Sequence, residues 1–382
     1  MSAPKYEVAD VLKVDKQWQQ SGTNAWQRRT LYALTRCRTA AMGGHIDQCN
    51  NPSCAKLHIS YNSCRNRHCP KCQGHLSVLW MQKRQEALLN TSYFHVVFTL
   101  PHTLNPLALS QPKAVYGSLF KAAWATLQGF AANPKFLGAK TGMTAVLHTW
   151  GQNLSLHPHL HCIVPAGGIT VKGKWKNSKS KGTSAGSARA KYLFPVKALS
   201  KVFRAKYVDL LSQEITLSKA TRNQLFAKPW VVYTKQPFFG PNQVVEYLGR
   251  YTHKIAISNH RLKSLTKQHV SFSYKDYRQG GKKKVMTLAT GEFIRRFAQH
   301  ILPKGFTRIR HYGILASGTW RQNKELADSQ LGAIVIKPAP EPLLHRKCPA
   351  CKKGDLETLV CFDNRGPPEH WLTKLKKQRK MK

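Results

Sequence analysis

Acidic residues are scarce. Only 17 Asp and Glu stand against 61 Lys and Arg, which leaves a formal net charge of +44 over 382 residues. Solubility rarely needs a single-sign excess of that size, whereas a polyanion partner does, because neutralising phosphates releases condensed counterions. Nucleic acid is therefore the expected partner. Long apolar runs are also missing, and nothing approaches the roughly 20 residues of a membrane span. The opening MSAPKYEVADVLKVDKQ is polar and carries acids, unlike a secretory leader, and no basic amphipathic anchor helix stands out. These absences predict a cytoplasmic, nucleoid-associated protein of bacterial type with no membrane partner and no small-molecule substrate. A hydrophobic content of 42% over this length suits two or three domains with real cores.

Ten cysteines in such a chain point to metal sites before disulfides. Cys49-x4-Cys54 and Cys69-x2-Cys72 are two tight pairs with fourteen residues between them. Two such knuckles supply the tetrahedral four-sulfur shell that Zn2+ prefers, and a closed shell leaves no position open for chemistry. Cys64 is a fifth thiol inside the loop, so it is either spare, a substitute for one of the four, or part of a second site with Cys37 or a nearby histidine. Arg65, Arg67 and Lys71 around the knuckles suit a nucleic-acid-binding zinc ribbon. Near the C-terminus Cys348-x2-Cys351 and Cys361 resemble half of a further knuckle, with His345 as a candidate fourth ligand.

The centre of the chain reads HTWGQNLSLHPHLHCIVPAGG from His148 to Gly168. On a strand, residues i and i+2 share a face, so His159 and His161 point together while Leu160 and Cys162 face a core. The β-prone run Thr144 to Trp150 precedes turn residues Gly151, Gln152 and Asn153, which predicts an antiparallel hairpin. Across that hairpin His148 would complete a three-imidazole face. Each imidazole brings two polar nitrogens that need partners, and a divalent metal is the simplest common one.

Elsewhere residues 8–42 and 76–91 have helical spacing, and Tyr93 to Leu100 is a continuous apolar run that suits a central strand. Residues 114–131 form a further helical run, and 170–191 a Gly, Ser and Lys loop. Helix is expected again at 196–211, then a short strand at Trp230 to Tyr233. Pro241 opens a helix in the favoured first-turn position. On it Tyr247 and Tyr251, four apart, share one face, with Arg250 and Lys254 close by as phosphate-contacting cations. A basic-tipped hairpin over 269–288, a helix over 290–300 capped by Thr290 and a strand at 306–312 complete the central region. The expected division is 1–90 for a helical and zinc-binding domain, 91–335 for the catalytic domain, and 336–382 for a Pro-rich linker, possible knuckle and basic tail.

His159-Leu160-His161 resembles the His-hydrophobic-His signature of rolling-circle nucleases, and Tyr247-x3-Tyr251 resembles the paired tyrosines of their two-tyrosine branch. With the HCPKC run and the IVPAGG run after the histidines, the chain looks like the insertion-sequence transposases of the ninety-one type, from about residue 15 to 320. The first cysteine pair departs from that family's usual Cys-x2-Cys. The resemblance implies an α+β fold, with a zinc-ribbon N-terminal module followed by a central five-stranded antiparallel sheet flanked by helices. It also implies a transposase that nicks and joins single-stranded DNA at element ends through a 5′-phosphotyrosine link. Tyr247 and Tyr251 match the nucleophile pair, and Mg2+ or Mn2+ on His148, His159 and His161 would polarise the scissile phosphate. The alternatives are a plasmid replication initiator or relaxase with the same nick, and a non-catalytic zinc-ribbon DNA-binding protein.

Overall fold

The two-residue alternation of β structure governs the centre of the molecule. The computed structural model describes residues 4–73, 86–178, 193–238, 254–334 and 346–380. Its strands in chain order are β1 (Gly44–Cys49), β2 (Leu57–Tyr61), β3 (Tyr93–Thr99), β4 (Gly142–Trp150), β5 (Leu156–Pro165), β6 (Gly167–Ile169), β7 (Trp175–Asn177) and β8 (Val232–Phe238), continuing with β9 (Leu262–Leu265), β10 (His269–Asp276), β11 (Lys282–Ala289), β12 (Ile309–Gly313), β13 (Arg346–Lys347) and β14 (Asp355–Phe362). They build a five-stranded sheet in the order β12-β4-β5-β3-β8, a four-stranded sheet β13-β14-β1-β2, a three-stranded sheet β11-β10-β9 and the ribbon β6-β7. Neighbours in the central sheet are all antiparallel.

One face of the central sheet is apolar. Leu156, Leu160, Cys162 and Val164 of β5 alternate with the histidines and pack with Phe94, Val96 and Phe98 of β3 and with Ala145 and Leu147 of β4. Two long helices, Pro112–Ala132 and Val196–Glu214, cover that face. They contribute Leu119, Phe120, Leu127, Phe203 and Tyr207 to the same core. Burying one such large side chain contributes roughly 1.5–3 kcal/mol, so this face carries much of the stability and fixes the register of the strands it covers.

The N-terminal helices Val8–Val14 and Ala25–Arg36 pack on a second core. Asn24 caps the latter helix, accepting from the Gln27 amide while Gln27 reaches back. Their Val11, Leu12, Leu31 and Leu34 meet Phe272 of β10 and Phe293 and Phe297 of the helix Thr290–Ala298. Residues of 1–90 thus share a core with residues of 91–335. They also share a sheet with 336–382, because β14 pairs with β1 in antiparallel register, Cys49 opposite Leu356. The residue capping the Thr290–Ala298 helix is Ala289 rather than Thr290, whose hydroxyl instead donates to Asp15 at 3.3 Å. No helix among the described residues is long and apolar enough to cross a membrane. The helix expected over 76–91 and the loop over 170–191 lie largely outside the described residues, as do Tyr247, Arg250, Tyr251 and His345.

The edge strand β12 is closed by Gly313, whose φ of +62° lies in the left-handed region. A Cβ there would meet the Thr141 carbonyl and the Trp124 ring, which stacks on Tyr312 at 5.4 Å. Gly313→Ala should cost about 2 kcal/mol or more, adding backbone strain to the clash. Thermal denaturation measures it, and an unchanged midpoint would remove the argument.

Candidate functional site

Strand pairing assembles the histidines. His148 of β4 stands directly opposite His159 of β5, and Val146 opposite His161. Opposed residues share a face, so His148, His159 and His161 lie together on the side of the sheet away from the apolar core. Their nearest ring nitrogens all fall within 4.8 Å of one another. The sheet gathers the three histidines expected from the sequence, and His157 stays outside this trio.

The second nitrogen of each strand histidine has a partner. His159 Nδ1 donates to the His157 carbonyl at 2.6 Å, and His161 Nδ1 stands 2.9 Å from His95 Nε2. Both contacts turn the Nε2 lone pairs inward, where the two Nε2 atoms are 3.1 Å apart. Nitrogens about 2.1 Å from an ion in a six-coordinate shell stand about 3.0 Å apart at right angles, so the donor set fits a divalent ion with open positions beside it. Burial lowers the His159 pKa to about 4, and Lys254 acts in the same direction. His161 is pushed well below the usual range, first by burial and then by His159, His95, Lys254 and Arg308. His159 and His161 therefore stay neutral, which is the ligand form of imidazole.

A buried polar layer backs this face. The His148 ring stacks on Trp150 at 4.7 Å and 19°, and the Arg308 guanidinium lies 5.4 Å from the other ring system. Arg308 donates to the Lys254 carbonyl, tying the chain just after residue 253 to the histidine face. Next to it His300, 2% exposed, bonds the Thr149 hydroxyl at 3.2 Å and the Leu154 carbonyl at 3.1 Å.

The cysteines group differently from the sequence expectation. Cys49, Cys54, Cys69 and Cys72 do not share a shell: Cys69 and Cys72 join Cys37 and Cys64, whereas Cys49 and Cys54 join Cys348 and Cys351. The reason is the β1–β2 hairpin. Its base, where Gly44 pairs with Tyr61, lies by Cys37 and Cys64, and its far end carries Cys49 and Cys54, about 15 Å away along the strands. In the first cluster Cys72 Sγ is 3.6 Å from Cys37 Sγ and 3.7 Å from Cys64 Sγ. Thiol contacts from Cys37, Cys64 and Cys69 lower the Cys72 pKa, while contacts within the same cluster raise those of Cys64 and Cys69, so without an ion the four share their protons unequally. Cys361 is exposed and outside both clusters.

The expected nucleic-acid cations divide as well. Arg65 is exposed. Arg67 instead donates to the Pro303 and Phe306 carbonyls, and Lys71 pairs with Glu7 at 2.6 Å. These two join the cysteine module to the rest of the fold rather than offering free charge.

Two contributors were not foreseen from the sequence, His95 and the Trp150–Arg308 layer, whereas Cys37 joins Cys64 as one of the alternatives the sequence offered. Only His95 carried a signal, since it is the one imidazole in an apolar run that was read as a central strand. Because outer partners of ligating histidines are typically worth 10–100-fold in metal affinity, His95→Phe should weaken divalent-ion binding about tenfold while DNA binding persists. Metal titration of the variant tests this, and an unchanged affinity would make His95 a packing residue only.

A second expectation concerns pH. His159 and His300 each titrate at about 4 when folded, both because of burial, against about 6.5 in an unfolded chain. Between these values the unfolded chain takes up protons that the folded one refuses, so stability is full above pH 6.5 and falls toward pH 4. In metal-free protein His300→Gln should flatten that slope. Melting curves across the interval measure it, and a slope equal to that of the parent chain would exclude His300.

Comparison with known proteins agrees with this architecture. The family model described as a putative transposase matches residues 142–324, and the one described as a transposase zinc-binding domain matches residues 11–100. The chain is 40% identical over 402 aligned positions to putative transposase y4qJ of Sinorhizobium fredii (strain NBRC 101917 / NGR234), covering 96% of this chain and 98% of the relative. It is 30% identical over 333 positions to the transposase for insertion sequence element IS801 of Pseudomonas savastanoi pv. phaseolicola, covering 86% of this chain and 79% of that one. No solved structure matches it. Cys37, Cys64, Cys69 and Cys72 all fall within the zinc-binding match, which supports a structural Zn2+ in the module, and the transposase matches imply DNA as what the enzyme binds. An α+β chain with a sheet-borne histidine face and an N-terminal cysteine module, matched over most of its length by two transposases, belongs to the insertion-sequence transposases of the ninety-one type.

Proposed function

We propose that this transposase nicks and rejoins single-stranded DNA at element ends through a 5′-phosphotyrosine intermediate, and so moves its element by a rolling-circle route. The observation that carries the reading is the imidazole trio, His148, His159 and His161, converging on one sheet face with their ligand nitrogens within 4.8 Å of one another. On this reading the five-stranded sheet and its two covering helices are a rolling-circle nuclease core. Mg2+ or Mn2+ on the three imidazoles would polarise the scissile phosphate and stabilise the charge that builds there.

The chain's own residues do the rest. Tyr247 and Tyr251 are the nucleophiles. Lys254, three residues after Tyr251 in the sequence, is tied through its carbonyl to Arg308 beside the histidine face. A phenol ordinarily loses its proton near pH ~10, and the cations Arg250 and Lys254 favour the phenolate. The phenolate oxygen bonds to phosphorus, the bond to the 3′-oxygen breaks, and that oxygen takes a proton to leave as a free hydroxyl. The energy of the phosphodiester is kept in the tyrosine link. The second tyrosine then accepts the next strand or resolves the first.

Strand placement falls to the surroundings of the trio. A cleft of about 360 Å³ between His157 and the tip of the β10–β11 hairpin, lined by His102, Tyr274, Lys275, Asp276 and Tyr277, offers rings for base stacking and a lysine for phosphate, with Asp276 paired to Lys284. Arg65 extends the positive surface on the cysteine module.

The test incubates the purified protein with single-stranded DNA from the sequences flanking its own gene, with Mg2+ or Mn2+, and resolves the products on a denaturing gel. A metal-dependent protein–DNA adduct is expected, reduced at least tenfold by Tyr247→Phe or Tyr251→Phe and absent from the double variant. His159→Ala with His161→Ala should abolish cutting and leave DNA binding within a few-fold. An adduct that survives in the double tyrosine variant would refute the nucleophile assignment.

A further inference from the structure

The second cysteine cluster lies where no family match reaches on one of its two sides. Cys49 ends β1 and Cys54 follows in the turn, within the zinc-binding match, while Cys348 and Cys351 stand near the other end of the chain. β14 brings them together by pairing with β1, Leu356 opposite Cys49. Cys49 Sγ is 3.6 Å from Cys351 Sγ, Cys54 Sγ is 3.8 Å from Cys348 Sγ, and all four sulfurs lie within 4.8 Å of one another. A tetrahedral shell with Zn–S bonds of about 2.3 Å has edges of about 3.8 Å. A disulfide would need about 2.05 Å, so the spacing is that of ligands around an ion.

The turns support the same reading. Among the described residues five that are not glycine have a positive φ, and four of them, Arg38, Ala55, Arg65 and Lys352, directly follow a cysteine of one cluster or the other. Both clusters are thus built on the same left-handed turn after a ligand-type thiol. Cys351 Sγ accepts the Gly354 amide at 3.4 Å, as a thiolate does. Gly354 itself leaves no room for a side chain, because a Cβ there would lie 2.5 Å from Cys49 Sγ. Lys352 and Lys353, next to Cys351 in the sequence, supply positive charge beside what would be a doubly negative four-thiolate centre, while Lys347 is paired with Asp355 at 2.9 Å.

We propose that Cys49, Cys54, Cys348 and Cys351 bind a second structural Zn2+, independent of the first, which fastens the C-terminal segment to the N-terminal module. Its effect reaches beyond the sheet. The helix Glu369–Lys380 lies against β2, where the Gln378 side chain bonds the Leu57 amide at 2.9 Å and its carbonyl at 3.2 Å. Lys374, Lys376 and Lys377 on that helix are thereby held beside the module that carries Arg65. The clasp makes one charged surface from two ends of the chain.

Cobalt substitution of the full-length, reduced protein tests this. Thiolate-to-cobalt absorption separates sulfur sites from the histidine face, which gives no such band. The expected result is two thiolate-bound equivalents in the parent chain, one in Cys348→Ser with Cys351→Ser, and two in the exposed control Cys361→Ser. Amide exchange across β14 should accelerate at least tenfold in the double serine variant. A single thiolate-bound equivalent in the parent chain, or a free-thiol count showing these four cysteines oxidised, would overturn the proposal. Because both of those readings come from the parent chain, a misfolded variant does not shield it.

Discussion

Antiparallel pairing between β4 and β5 sets His148 opposite His159, and a slip of one residue would carry every imidazole into the core and every core side chain out. The face behind the histidines prevents that slip. Leu160, Cys162 and Leu147 are fully buried under the two long helices, so the register is held by apolar packing that has no part in the chemistry. A cluster of neutral imidazoles has little cohesion of its own. It is positioned by what lies on the opposite side of the same strands.

The N-terminal module is joined to this sheet through polar groups rather than by apolar packing alone. Arg67 binds carbonyls just before β12, Lys71 binds Glu7, and Trp26 donates to the Leu302 carbonyl at 2.9 Å. Half-buried polar groups of this kind lose their hydration when the module docks, so each contact fixes an orientation as well as a position. That accounts for cations which look like DNA contacts in the sequence but serve the fold.

Much of the central region was legible. Period-two alternation in LHPHLHC, the turn at Gly151 to Asn153 and the apolar run at Tyr93 are local signals, and they yield the hairpin, the central strand and the histidine trio. The cysteine shells were legible only in pieces, Cys69 with Cys72, Cys64 with Cys37 as one alternative and Cys348 with Cys351 as half a knuckle, because spacing along the chain says which thiols share a turn and nothing about which turns meet. Cys37 caps a helix twenty-seven residues before Cys64, and Cys348 reaches Cys54 only through strand pairing. The Arg308–Trp150 layer was hidden for the same reason: an arginine in a basic chain announces no partner until the sheet closes. The tyrosine spacing stood out in the sequence, and its placement lies outside the described residues.

The pairing of β14 with β1 also fixes an order of events during synthesis. β1 leaves the ribosome some three hundred residues before its neighbour, so until β14 emerges one edge of the N-terminal sheet has no partner. The central sheet, whose last strand β12 ends at Gly313, has all its strands by then. A chain broken off short of residue 355 would keep every strand of the histidine face yet leave the β1 edge bare beside its cysteines.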